Sequence, residues 1–442
     1  MSAQDERATA RGATGALLFE PGAAQDARRV GDGALLAAII RVEAAWLRAQ
    51  ATAGALPAAA AEALAAALGS ADDYAAAELA AAAAAGGNPV IPWLAAARER
   101  VAGLDRSAAL HAGLTSQDVM DSALMLLAQD ALEAVAARAA DAVGALAALA
   151  ARQRGTLCLA RTLTQPALPT TAGLRIAQWA AGLDAARRRI AALLPLPVQA
   201  GGAAGTQAGY GLVAQPAEAL AAALAAELGL ADPGVPWQTN RQPVLDLAAA
   251  CAGIAAAGQR IAGDVLIAAR PEIGELAESG GGESSAMPQK SNPTVSVLLH
   301  RTGLQAPGAL ATIAAAVGAS VDDRADGAWH AEWPALRALL LDALTASRLL
   351  AELAAGLRVD AARMGANLEA AGPGVVGERL VHALRGRATR AQIQAALAAP
   401  DPQSVLVDLA GGADLAALLD PAGYTGRAEA LTDRILHTLA PS

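Results

Sequence analysis

An all-α fold, three helical domains with a bundle of long helices at the centre, is what this sequence predicts, on three observations. Hydrophobic residues make up 55% of the chain but aromatics only 2%, so the apolar surplus is largely Ala, which favours long helices packed closely through small side chains. Apolar residues such as Leu35, Leu36, Ile39, Ile40, Val42, Trp46 and Leu47 recur at spacings that make one face of a helix. At 442 residues the chain exceeds one ordinary core, so two or three domains are expected.

In chain order, a first helix is expected from about Asp32 towards Gly54 and Pro57, then a second, then a loop Gly86-Gly87-Asn88-Pro89-Val90-Ile91-Pro92. Residues 1–105 form the expected N-terminal helical domain. A central bundle domain covers 106–357, with helices over Asp130–Gln153, Ala172–Leu194 and the apolar run after Arg241, whose only charges to Ala269 are Asp246, Arg260 and Asp264. A helix apolar on nearly every side is buried on several sides. From 358 to 442 shorter helices, interrupted by Gly372, Pro373, Gly374 and Gly377, predict a small C-terminal domain.

Bulk properties exclude several function classes. A net charge of −9 with no Lys/Arg block argues against a nucleic-acid partner. Cys158 and Cys251 are too few for a disulfide framework and read as buried small hydrophobes in a reducing compartment. The N-terminus, with Asp5 and Glu6, has no basic-then-apolar run, so no signal peptide is expected and a cytoplasmic location is. The uncharged segment Thr302 to Val321 includes Gln305, Pro307 and several glycines, which suits a buried bundle helix and not a membrane span. Gly201, Gly202, Gly205, Gly209 and Gly211 are not followed by Lys-Ser/Thr or preceded by a strand, so no nucleotide loop is expected. His111, His300, His330, His382 and His437 are scattered without ligand spacing, so neither metal nor other cofactor is expected.

Four stretches concentrate polar chemistry. His111-Ala112-Gly113-Leu114-Thr115-Ser116-Gln117-Asp118 feeds an apolar helix; Thr115 or Ser116 there is an N-cap by ordinary reading, and the same helix start favours an anion. Arg161, Thr162 and Gln165 stand between helices, next to the helix-breaking Pro166 and Pro169. Trp329-His330-Ala331-Glu332-Trp333 is an aromatic cluster, either packing that fixes a helix corner or a setting for His330 as ligand or proton donor. Gly280-Gly281-Gly282-Glu283-Ser284-Ser285-Ala286-Met287-Pro288-Gln289-Lys290-Ser291-Asn292-Pro293 reads as a mobile lid, its glycines supplying backbone freedom.

That last run resembles the signature of the fumarase/aspartase superfamily, Gly-Ser-Ser-x-Met-Pro-x-Lys-x-Asn-Pro, with Glu283 in place of a Gly. The stretch from His111 to Asp118 resembles the superfamily's first motif. Ala160-Arg161-Thr162-Leu163-Thr164-Gln165 resembles its second, with Ala160 for Gly and Leu163 for His. The resemblance, which covers about residues 17 to 360, implies a homotetramer with a twenty-helix core and sites shared between subunits. It also implies a small polycarboxylate substrate and a base, Ser284, acting as an alkoxide that Lys290 and lid amides stabilise. By position, Asn88, His111, Thr115, Ser116, Gln117, Arg161, Thr162, Gln165, Arg241, Ser285, Met287 and Asn292 would bind substrate.

The departures narrow the chemistry. Members that expel an amine or water protonate the leaving group with the second-motif His, oriented by a Glu seven residues after the lid Lys. Here Leu163 and Val297 stand at those places. A carboxylate leaves unprotonated at neutral pH, its reference pKa being about 4, so an intramolecular lactonisation fits. Further stretches, Thr115 to Asp121, Gln165 to Thr171, Gly87 to Val90 and Trp329 to Trp333, resemble the 3-carboxy-cis,cis-muconate cycloisomerase branch. Two other readings stay open: an amine-expelling lyase using His111 or His330, and an inactive scaffold of the same fold. Glu283 would oppose an alkoxide beside it and is expected to face solvent when the lid closes.

Overall fold

The structure is a computed structural model, and it describes residues 17–214 and 216–439; the N-terminal stretch with Asp5 and Glu6 lies outside them. Helices dominate, as expected. In order they are α1 (Asp32–Thr52), α2 (Ala58–Ala67), α3 (Ala76–Gly86), α4 (Val90–Val101) and α5 (Ser116–Arg152). The strands β1 (Leu157–Thr162) and β2 (Gln165–Thr171) precede α6 (Ala172–Ala191), α7 (Ala217–Leu228) and α8 (Gln242–Ala268). Then come β3 (Leu276–Ala277), α9 (Thr294–Gly318), α10 (Gly327–Gly356), β4 (Arg358–Val359) and α11 (Ala361–Ala370). The C-terminal helices are α12 (Gly377–Ala383), α13 (Arg390–Leu397), α14 (Pro402–Ala410), α15 (Leu415–Leu419) and α16 (Ala428–Leu439).

Contacts group the chain into two compact units, one of Met1–Ala137, Arg187–Ala256 and Thr302–Ser347, the other of Arg138–Ala186, Ala257–Arg301 and Arg348–Ser442. Both are discontinuous because α5, α6, α8, α9 and α10 each contribute residues to both. The three consecutive domains read from the sequence stay a proposal about how the chain is organised.

In the first unit the predicted apolar face of α1 is buried: Ile39, Val42, Trp46 and Leu47 are each at most 1% exposed. That face packs against α2 and α7, where Leu64, Leu220 and Leu224 are also buried. Burying such side chains contributes about 1.5–3 kcal/mol each.

In the second unit, Pro166 and Pro169 do break helix, and the chain uses them in a strand. β1 and β2 pair antiparallel, a two-stranded ribbon in which prolines find free edges. Its turn, Leu163-Thr164, has φ values of 48° and 70°, the left-handed pair that a tight hairpin needs and that Asn-Gly usually supplies. Leu159 of β1 is buried in a core with Leu368, Val376, Leu380, Ile393 and Leu406, so the C-terminal helices seat the base of the hairpin.

Cys158 and Cys251 are buried free thiols, as expected, and burial pushes the Cys251 thiol up to about 12. The segment after Thr302 is helical, but it is not wholly buried: Ile313 is 0% exposed and Leu304 62%. By length and composition α5 and α8 are apolar enough to cross a membrane; the first turns of α5 nevertheless bury two carboxylates, Asp118 and Asp121.

Candidate active site

The first unit builds a dense polar network around the start of α5. Asp118, fully buried, accepts hydrogen bonds from the amides of Gly201 (2.8 Å), Gly202 (2.9 Å) and Thr115 (3.1 Å) and from the Tyr210 hydroxyl (3.2 Å). Burial raises its carboxyl to about 6, against the lowering effect of those donors. The glycine-rich stretch is therefore bound to the first motif by a carboxylate. Gly113 fits against this stretch without room for a side chain, since a Cβ there would lie 2.9 Å from the Gly209 carbonyl oxygen.

One helical turn on, Asp121 accepts from Arg241 (2.7 and 3.0 Å), from the Trp329 indole (2.9 Å) and from Gln117 (3.2 Å). Arg241 also donates to Glu332, at 2.6 to 3.1 Å, and stacks on Trp237 with 4.6 Å to the ring centroid. Its side chain is 1% exposed. Arg241 is thus not the free substrate cation expected by position: two buried carboxylates neutralise it, because burying a guanidinium requires charged acceptors. Burial, with repulsion from Asp121, raises the Glu332 carboxyl despite Arg241.

The aromatic cluster now has a reason. Trp329 stands edge-on to Trp333 and anchors Asp121, while Glu332 anchors Arg241. His330 donates from Nδ1 to the Asp326 carbonyl (3.0 Å), and its Nε2 lies near Gly87.

The other first-unit candidates vary in how free they are. Asn88 is 7% exposed and its Oδ1 accepts from the amides of Val90 (3.1 Å) and Ile91 (3.3 Å), so it caps α4. Gln117 donates to the Gln238 carbonyl (2.7 Å) and its Oε1 is buried without a partner among the described residues. Thr115 and Ser116 are partly exposed, and the Thr115 hydroxyl accepts from Arg324 (2.5 Å). His111, at φ 59°, meets Glu43.

The second unit carries the second motif and the lid. Arg161 donates to the buried Glu275 (2.9 and 3.3 Å); Arg175 (3.4 Å) and Asn367 (2.9 Å) donate to it as well. Burial would raise the Glu275 carboxyl, but the bonds from Arg161 and Asn367 and the two guanidinium charges bring it below its ordinary value. Two cations on one carboxylate leave local positive charge for an anion. Thr162 and Gln165 are exposed, Gln165 donating to the Thr164 hydroxyl (3.3 Å), and Leu163 at the tip is 96% exposed.

The lid is pinned at its base. Glu278 accepts from the amides of Val295 (3.1 Å) and Ser296 (2.7 Å), joining the two ends at the start of α9. Gly282 and Asn292 then exchange backbone hydrogen bonds (2.8 and 3.1 Å). Neither Gly281 nor Gly282 has a left-handed φ; a Cβ on either would overlap Ser291 or Thr294. These glycines permit close approach, which differs from the expected role in backbone freedom. Beyond the bridge, Ser284 Oγ accepts from the amides of Met287 (3.1 Å) and Ala286 (3.4 Å). Glu283, Ser285, Met287 and Lys290 are exposed, and Asn292 partly so, its amide reaching the Glu283 carbonyl (3.5 Å). Val297, at the place of the orienting Glu, is 50% exposed.

A family model described as Lyase matches residues 23–308. The chain belongs to this lyase family, within the fumarase/aspartase superfamily. This lyase-family chain is 41% identical to the nitrosuccinate lyase of Streptomyces davaonensis, over 92% of this chain and 90% of that protein. It is 37% identical to a 3-carboxy-cis,cis-muconate cycloisomerase of Bradyrhizobium diazoefficiens, over 92% and 94% of the two. Its structure matches the 3-carboxy-cis,cis-muconate lactonizing enzyme from Pseudomonas putida with a TM-score of 0.84 and 32% identity, covering 92% of this chain and 95% of that one. The lyase-family enzyme therefore keeps the fold of its relatives over nearly its whole length.

Sequence reasoning missed Arg324, Arg175, Glu275 and Glu43. Glu43 and Glu275 carried a usable signal, being acids within or beside apolar runs, which burial tolerates only with partners. Arg175 and Arg324 carried none, since their partners are distant in sequence.

Proposed function

We propose that this lyase-family enzyme forms or breaks a bond β to a carboxylate whose other partner is a weakly basic anion, and that its reaction is the lactonisation of 3-carboxy-cis,cis-muconate to 4-carboxymuconolactone. The observation that carries this reading is the Ser284 hydroxyl held by two lid amides, in a chain with Leu163 and Val297 in place of an acid pair. Donors already aimed at Oγ favour its alkoxide, and exposed Lys290 in the same loop adds positive charge on closure.

In the forward step a substrate carboxylate attacks the ring-closing carbon. The adjacent carboxylate takes up the electrons as an aci-carboxylate, and Ser284 delivers a proton to the carbon between them. Thr115, Ser116, Arg161, Gln165, Arg324 and Asn292 would hold the three carboxylates. The charge-assisted bonds outweigh the repulsion of an acidic protein.

A second reading is favoured by the 41% identity to a nitrosuccinate lyase. Elimination from nitrosuccinate would release nitrite, another anion that leaves unprotonated, so the absent acid suits it equally. An amine-expelling reaction suits the chain less, because it needs an acid and the second-motif position offers Leu163.

Two assays without added cofactor separate the readings: loss of 3-carboxymuconate absorbance, and release of nitrite with fumarate from nitrosuccinate. Turnover of nitrosuccinate alone would replace the lactonisation reading; release of fumarate from adenylosuccinate would overturn both. We further propose a cytoplasmic homotetramer with shared sites, in keeping with the half-exposed Val297 and Leu304 on an apolar helix. A monomer on sedimentation would overturn the shared-site arrangement.

A further inference from the structure

One face of α1 reaches the start of the first motif and the turn before it at three successive points. The Gln50 amide donates to the Ala109 carbonyl (2.9 Å), the Trp46 indole donates to the Ala112 carbonyl (2.9 Å), and Glu43 Oε1 meets His111 Nδ1 at 2.5 Å. Residues 43, 46 and 50 lie at helical spacing, so a single rigid face positions the loop 109–112.

Two features of the Glu43 contact are costly for a purely structural pair. Glu43 is 0% exposed, and its second oxygen, Oε2, is buried with no hydrogen-bond partner among the described residues. His111 stands at φ 59°, a conformation that costs a residue with a side chain about 1–2 kcal/mol. A contact selected for stability would satisfy both oxygens or use an apolar pair. What the arrangement does achieve is orientation. A carboxylate accepting the Nδ1 proton fixes the ring plane and leaves Nε2 as the outward nitrogen. The ring retains 12% exposure, and Nε2 has no partner among the described residues. The imidazole is thus backed by a buried acid and open on its far edge, four residues before Thr115.

We propose that Glu43 is a positioning residue that holds His111 so that Nε2 engages a carboxylate group of the substrate beside Thr115 and Ser116. This rests on the reading that the substrate is a small polycarboxylate, whichever bond is broken. Glu43 acts through the ring and does not itself touch the ligand.

The test is a double-substitution cycle of Glu43→Gln and His111→Asn, read as KM and kcat on the substrate turned over. Calorimetric binding of tricarballylate, an unreactive tricarboxylate, is measured in parallel. Glu43→Gln keeps the shape and removes the charge. It is expected to raise KM about 10- to 100-fold, by analogy with removal of the outer partner of a metal-ligating histidine, with kcat changed far less and the melting temperature held within a few degrees. In the His111→Asn background the same substitution is expected to add nothing. Should Glu43→Gln lower the melting temperature markedly, His111→Asn alone carries the test, because Asn tolerates the left-handed backbone: its affinity must fall by a like factor with the fold intact.

An unchanged KM in Glu43→Gln, or an equal further loss in the His111→Asn background, overturns the proposal. So does tricarballylate binding that is indifferent to both substitutions or absent from the unsubstituted protein. If the protein turns over neither assayed substrate while tricarballylate binding weakens in both variants, the functional reading fails and the Glu43 assignment stands.

Discussion

Two buried carboxylates, Asp118 in the first-motif unit and Glu275 in the second-motif unit, answer burial in opposite ways. Asp118 is served by three backbone amides and a phenol, all neutral donors, and its carboxyl rises to about 6. Glu275 is served by two guanidinium groups and an amide, and its carboxyl falls below the ordinary value. At Asp118 the neutral donors do not offset complete burial, whereas at Glu275 the bonds from Arg161 and Asn367 and the two guanidinium charges together do. The first unit therefore spends its ionic groups on internal order, with Arg241 closed between Asp121 and Glu332. The second keeps positive charge to spare beside an exposed hairpin and lid.

The largest effect that would break this contrast is at Arg241. Arg241→Met leaves Asp121 and Glu332 facing each other without a counter-ion, and a loss of about 3–5 kcal/mol is expected, measured by denaturant unfolding. A near-neutral result would mean that Arg241 is not an internal clamp between Asp121 and Glu332. Ser284→Ala is expected to leave stability unchanged, its hydrogen bonds being local to the lid, while turnover falls roughly a hundredfold or more. Unchanged turnover of every tested polycarboxylate removes Ser284 from the mechanism.

The pH dependence sharpens the same comparison. Between its ordinary value of 3.8 and about 6, folded Asp118 holds a proton that the unfolded chain has lost. Its contribution therefore makes the protein less stable as pH rises through that window, by about 3 kcal/mol at most. Glu275 has the reverse sign: its contribution is present above the ordinary value of 4.5 and is lost as pH falls through its lowered one. Unfolding midpoints from pH 3 to 7 are expected to lose their decline above pH 4 in Asp118→Asn, and to lose part of their acid-side rise in Glu275→Gln. Identical profiles in the two variants would show that the donors do not set the difference.

The smallest expected effect is at Arg154, which pairs with Asp433 and Glu429 at the surface. Exposed pairs of this kind contribute little, so Arg154→Ala should leave the melting temperature unchanged. A clear drop would mean that α16 is held by that pair.

The helices and motif loops were legible because their signals are local. The α1 face follows from residue spacing, and Ser284, Lys290 and Asn292 lie within one short run. Two expectations changed on folding. Arg241 looked like a substrate cation because its acceptors, Asp121 and Glu332, are 120 and 91 residues away. Gly281 and Gly282 looked like sources of motion because nothing in their own neighbourhood shows that Ser291 and Thr294 press against them.

By itself, then, the sequence determined the helical class, the motif loops and the loss of the acid pair at Leu163 and Val297, since each is written in residue type and near spacing. Only the tertiary structure decided which charges are spent and which remain available. Whether a guanidinium can meet a substrate depends on carboxylates brought to it from distant helices, and a one-dimensional pattern does not contain those distances.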